Sequence, residues 1–126
     1  MYKILVVDDS ISYRKFIFHT LKMQEELDVF EAADALEALE ILAKESGKID
    51  LILLDFFMPK MNGLEFFKKM ITFDEYKSIP VIMITTSGDK SRMVEAVQAG
   101  IRDYLTKPFT PEDLLTRIIK ILKITI

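Results

Sequence analysis

The sequence predicts an α/β fold: a doubly wound parallel sheet of five strands, each followed by a helix. Three observations predict it. Short strand-like runs recur five times, at Ile4–Val7, Val29–Ala32, Leu51–Asp55, Val81–Thr85 and Asp103–Thr106. Each is followed by a stretch with apolar residues at helical spacing. The third run opens with LILL, apolar at every position, as in a strand buried on both faces. Alternation of this kind implies right-handed βαβ crossovers and helices on both sides of the sheet.

The elements follow in order. Ile4–Val7 is rich in β-branched residues and ends at Asp8 and Asp9. The helix after it covers Ile11–Met23, with Ser10 or Asp9 as N-cap and Phe16, Ile17, Thr20 and Leu21 on one face. After the second strand, Asp34 and Glu37 have the spacing of a capping box. They start a helix carrying Leu36, Leu39, Ile41 and Leu42, and Gly47 punctuates its end. The third strand meets the carboxylate of Asp55, then Phe56 and Phe57, and Pro59 ends it. Asn62 and Glu65 repeat the capping-box spacing before a helix bearing Leu64, Phe67, Met70 and Ile71. The fourth strand runs into Thr85 and Thr86, with a polar turn at Thr86, Ser87 and Gly88. Met93, Val94, Val97 and Ala99 mark the fourth helix, which Gly100 closes. Lys107-Pro108 breaks the fifth strand. Thr110 and Pro111 supply N-cap and first turn of a last helix, with Leu114, Leu115, Ile118, Ile119 and Leu122 on its apolar stripe.

At 126 residues the chain reads as one domain spanning 1–126. A net charge of −3 gives no basic field for nucleic acid. The absence of cysteine excludes disulfides, zinc–thiolate sites and iron–sulfur clusters. No apolar run approaches the roughly 18 residues of a membrane span. The N-terminal apolar stretch is too short for a signal peptide, so a cytoplasmic protein is expected. His19 lies on the first helix, away from the strand ends, and the seven methionines read as core filler.

In an open parallel sheet, ligands bind beyond the carboxyl ends of the strands, where the strand order switches. Those ends carry Asp8 and Asp9, Asp55, Thr85 and Thr86, and Lys107. Gathered on one rim, three carboxylates repel one another, and a hard divalent cation neutralises them most simply. An oxygen-only ligand set suits magnesium, or manganese in its place. A carboxylate beside such a cation and a lysine can attack a phosphoryl group and form an acyl phosphate. Lys107 would stabilise charge on the transferring oxygens, and a threonine hydroxyl could donate a hydrogen bond to the bound group.

Asp8-Asp9, Asp55 with Met58-Pro59 and Asn62-Gly63, Thr85, Ala99-Gly100, Asp103-Tyr104 and Lys107-Pro108-Phe109 together resemble the receiver domain of two-component response regulators, the CheY-like family. The resemblance covers essentially the whole chain. It implies a flavodoxin-like sheet of strand order 2-1-3-4-5. It implies that Asp55 accepts a phosphoryl group from a sensor histidine kinase or a phosphotransfer protein. It assigns magnesium to Asp8, Asp9, Asp55 and the backbone carbonyl of Phe57. It gives phosphoryl contacts to Thr85, the backbone N–H of Thr86, and Lys107. Thr85 and Tyr104 would form the switch, and the face made by the fourth helix, fifth strand and fifth helix would engage a downstream protein. Such a module acts on no substrate beyond its own aspartate, touches neither nucleic acid nor membrane, and is a monomer or a phosphorylation-dependent homodimer.

The sequence departs from the family at three places. Phe57 is bulky where a polar or smaller residue is usual, Thr86 follows Thr85 where a small residue is usual, and Ala35 replaces a common glycine. The apolar ILKITI ending could pack on a second copy or lead into a further segment. The chain would then be the N-terminal receiver of a longer regulator with a DNA-binding or enzymatic output domain. An aspartyl-phosphate phosphatase is a third reading. It is weakened because such enzymes commonly place a second acid where Phe57 stands. A flavin module is disfavoured because Asp8 and Asp9 would repel phosphate.

Overall fold

The computed structural model describes residues 1–86 and 90–124. The turn expected at Ser87 and Gly88 lies outside the described residues, as does the end of the ILKITI tail. The elements are β1 (Tyr2–Val7), α1 (Ile11–Lys22), β2 (Leu27–Ala32), α2 (Ala35–Lys44), β3 (Leu51–Asp55), α3 (Gly63–Met70), β4 (Val81–Thr85), α4 (Lys90–Ala99), β5 (Asp103–Thr106) and α5 (Pro111–Leu122). The strands form a single parallel sheet of order β2-β1-β3-β4-β5. This is the flavodoxin-like arrangement, and its order reverses between β1 and β3.

The period-2 geometry of a strand divides the apolar residues between two cores. Leu5, Val7, Ile52, Leu54, Val81 and Met83 face a layer made by α2, α3 and α4. Ile4, Val6, Leu51, Leu53, Ile82 and Ile84 face α1 and α5. This two-sided burial is why β3 has no polar residue before Asp55; all of its residues are buried.

β1 and β2 each begin two residues earlier than their apolar runs, because Tyr2 and Lys3 pair in register with Leu27 and Asp28. Ser10 is the N-cap of α1, its hydroxyl accepting from the Tyr13 N–H. The capping box of α3 forms as the spacing implies. That of α2 does not close: Glu37 accepts from the N–H of Ala33, one residue before the cap. Thr110 caps α5 with Asp113 completing a box.

Three apolar residues expected on helix stripes face solvent. Leu36 is 66% exposed, Val94 52% and Val97 58%. On α2 the packed residues are Ala35, Ala38 and Leu42, and on α4 only Ala96 is fully buried. Small alanines let these helices lie close to the sheet, which turns the larger neighbours outward. Met1 and Met23 are likewise exposed, so the methionines are not uniformly core.

Candidate functional site

The carboxyl ends of β1, β3 and β5 place four of the expected residues together. Asp8 comes directly after β1 and is buried, and Asp9 follows it at the surface. Asp55 is the last residue of β3 and also buried. One carboxylate oxygen from each of the three aspartates lies within 4.8 Å of the other two. Lys107 comes in from the end of β5, its backbone N–H bonded to the carbonyl of Thr85 at 2.7 Å. Its ammonium group donates to Asp8 Oδ2 at 2.9 Å and stands 3.7 Å from Asp55 Oδ2.

Local backbone bonds fix the two buried aspartates. Asp8 Oδ1 accepts from the Ser10 N–H at 2.8 Å, and the guanidinium of Arg14 donates to the Asp8 carbonyl at 2.7 Å. Asp55 Oδ1 receives a long contact, 3.4 Å, from the Phe57 N–H. Asp8 therefore holds the lysine at the shorter distance and accepts the shorter backbone bond. Burial pushes the Asp55 carboxyl up, as does the Asp8 charge beside it, while Lys107 and the Phe57 N–H pull it down; the result is about 7.

The residues also fit a cation. All donors in the cluster are hard carboxylate oxygens, close enough to share one ion, and the Asp55 carboxyl, raised by burial and then by the Asp8 charge, is one whose charged form such an ion would favour. Thr85 is buried at the end of β4, and Thr86 is exposed after it. Tyr104 is half-buried on β5 and packs against the core beneath α3 and α4. It lies on the strand beside β4, not on the acidic rim.

Gly63 has a role beyond its place in the α3 capping motif. A Cβ there would lie 2.3 Å from the Asp55 carbonyl oxygen and 3.0 Å from Phe56 Cα. The first turn of α3 rests directly on the end of β3, with the Gly63 N–H bonded to the Phe56 carbonyl at 2.8 Å. Gly63→Ala is expected to destabilise the fold by about 2–3 kcal/mol, read by urea denaturation, because neither backbone can give way cheaply. Stability equal to the parent would show that α3 is free to shift.

Sequence reasoning passed over Tyr13, Arg14 and Arg92, which all meet this region. Arg14 follows Ser10, the N-cap of α1, by one helical turn, which places it beside the end of β1, a spacing that could have flagged it. Arg92 on α4 stacks on Phe56 and Phe57, its guanidinium carbon 5.0 and 4.8 Å from their ring centres. No local pattern links Arg92 to residues so distant in the chain.

Residues 4–119 match the profile of the response regulator receiver domain. The chain belongs to this family. It is 40% identical over 116 residues to a chemotaxis protein CheY homolog of Campylobacter jejuni, covering 92% of this chain and 88% of that one. It is 38% identical over 122 residues to the cyclic di-GMP phosphodiesterase response regulator RpfG of Xanthomonas campestris, covering 96% of this chain but 32% of that protein. The crystal structure of Vibrio cholerae CheY4 superimposes with a TM-score of 0.88 at 39% identity, covering 96% of this chain and 98% of the other. Receiver domains act as phospho-acceptor switches between histidine kinases or phosphotransfer proteins and downstream targets. Among the described residues, no helix is long and apolar enough to cross a membrane.

Proposed function

We propose that Asp55 accepts a phosphoryl group from the phosphohistidine of a kinase or phosphotransfer protein, and that this switches the chain between two signalling states. The observation that carries the reading is the convergence of Asp8, Asp9 and Asp55 oxygens within 4.8 Å, with Lys107 3.7 Å from Asp55. An Asp55 oxygen attacks phosphorus, the phosphorus–nitrogen bond breaks, and the histidine nitrogen leaves with its electron pair. An acyl phosphate results on Asp55. Asp8, Asp9 and Asp55, with the Phe57 carbonyl, would hold a magnesium or manganese ion. When bound, that ion supplies positive charge for the phosphoryl oxygens.

Lys107 is proposed to exchange part of its bond with Asp8 for the arriving phosphoryl group. The Thr85 hydroxyl and the Thr86 N–H are proposed as donors to that group, with Tyr104 responding to movement of Thr85. The α4-β5-α5 face is then the face read by a downstream protein. The CheY relatives support a chemotaxis-type role, in which the receiver acts by docking on its target. RpfG supports a second arrangement, in which a similar receiver is one segment of a longer regulator. Incubation with acetyl phosphate and magnesium tests the core of the reading. Mass spectrometry is expected to find the label on Asp55, and chelation to abolish it; label on another residue would overturn the assignment.

Phe57 is proposed to slow loss of the phosphoryl group by keeping water from it. Its backbone nitrogen lies 3.4 Å from Asp55 Oδ1, and Arg92 and Phe56 pack on its ring. Phe57→Asn is expected to shorten the phosphoryl lifetime severalfold, followed as decay of label after donor removal. An unchanged lifetime would show that the ring does not shield the acceptor.

A further inference from the structure

The ammonium group of Lys107 meets an aromatic face as well as the two carboxylates. Its Nζ lies 4.0 Å from the centre of the Tyr13 ring, and the lysine side chain is only 5% exposed. A cation at that distance over a π-face, with water excluded, is attracted by the ring's negative face.

Tyr13 is itself held from two directions. Its backbone N–H donates to the Ser10 hydroxyl at 3.2 Å, which fixes it in the first turn of α1. Its ring packs on Phe16 at 6.1 Å and on Phe109 at 5.9 Å, and those two rings are 5.6 Å apart. Phe109 lies two residues beyond Lys107. The contacts close a circuit. Asp8 Oδ1 takes the Ser10 N–H, Ser10 Oγ takes the Tyr13 N–H, the Tyr13 ring faces Lys107, and Lys107 donates to Asp8 Oδ2. The same aspartate thus anchors the cap that places the ring and the lysine that the ring covers.

We infer that Tyr13 is a positioning residue for Lys107: its ring face confines the ammonium to the carboxylate cluster and keeps it dry. A lysine carries a flexible four-carbon stem, and each rotamer lost before reaction is one that need not be lost during it. A dry ammonium also interacts more strongly with a phosphoryl oxygen than a hydrated one. The effect on transfer rate rests on the reading of Asp55 as phosphoryl acceptor. The cage itself does not.

The test therefore has two readouts on the full chain, with magnesium and acetyl phosphate as probes. The first is the proton chemical shift of the Lys107 ε-methylene. It is expected upfield, from the ring current, in the parent and in Tyr13→Phe, and at the ordinary lysine position in Tyr13→Leu. The second is the labelling rate at saturating magnesium. Tyr13→Phe is expected to label within about twofold of the parent and Tyr13→Leu roughly tenfold more slowly. Tyr13→Met, which fills space without a π-face, is measured alongside and is expected to behave as Tyr13→Leu, so loss of fold in either leaves the comparison standing.

Labelling of Tyr13→Leu and Tyr13→Met at the parental rate would overturn the positioning role. A Tyr13→Phe variant as slow as Tyr13→Leu would transfer the effect to the hydroxyl and overturn the role of the face. An unshifted Lys107 resonance in the parent would remove the cage. A parent protein with the shifted resonance but no label on Asp55 would refute the acceptor reading and leave the cage established.

Discussion

Replacing Asp55 by asparagine is expected to abolish labelling by acetyl phosphate. At pH 8 without divalent cations it is also expected to make the folded protein about 2–3 kcal/mol more stable. The two effects have one origin. The group proposed to accept the phosphoryl is also the one the fold holds at a loss. Burial and the neighbouring Asp8 raise the Asp55 carboxyl from 3.8 to about 7. Between those two values the folded chain binds more protons at this site than the unfolded chain does. Its stability is therefore full below 3.8 and is lost as the pH climbs through 7. The whole shift corresponds to about 4 kcal/mol. The asparagine variant recovers less, because its buried amide is itself a polar group taken out of water. Thermal melts in chelator are expected to show the variant roughly 5–10 °C above the parent at pH 8, with the gap closing by about pH 4. Magnesium should raise the parent more than the variant. A parent whose melting temperature is flat between pH 4 and pH 8 would mean that Asp55 is not under electrostatic stress.

What was legible in the sequence follows from which forces leave a local trace. β3 could be read because burial on both faces removes every polar residue up to Asp55, and the polar residue that ends such a run marks the strand's mouth. Asp8, Asp9, Asp55 and Lys107 could be brought to one rim because a parallel sheet puts all carboxyl ends on the same side. The faces of α2 and α4 were not legible. Leu36, Val94 and Val97 fit an apolar stripe as well as Ala35, Ala38 and Ala96 do, and periodicity does not say which stripe touches the sheet. The choice is made by how closely a helix must approach, and alanine allows the closer approach. Tyr13 was invisible for a different reason. An aromatic in the first turn of an amphipathic helix looks like core, and only the fold brings Lys107, far along the chain, over its ring. Gly63 could be read as part of a capping motif, while its contact with the Asp55 carbonyl depends on how α3 meets β3.

Lys107→Met is expected to have the opposite sign to Asp55→Asn, and it separates the two tasks of the rim. The ammonium pairs with Asp8 at 2.9 Å and with Asp55 at 3.7 Å, and all three side chains are nearly inaccessible to solvent. Removing one partner of a buried pair leaves an uncompensated charge, which destabilises by about 3–5 kcal/mol. Here two carboxylates are left facing each other, so the loss falls in the upper half of that range at pH 8 without metal. Lowering the pH should relieve it by protonating Asp55, which Lys107 no longer restrains. Magnesium should relieve it too, since a cation among the same oxygens replaces the missing charge. The stabilisation by magnesium is therefore expected to be larger in Lys107→Met than in the parent, measured as the shift in melting temperature on adding the ion at pH 8. Labelling by acetyl phosphate should stay slow in the variant even when magnesium has restored its stability. The ion can neutralise the carboxylates, but on the proposed reading it does not replace the lysine as a donor to the phosphoryl oxygens. If magnesium stabilised the parent and the variant equally, lysine and ion would not be sharing the same carboxylates. If restored stability brought back full labelling, Lys107 would be a structural counter-ion and nothing more.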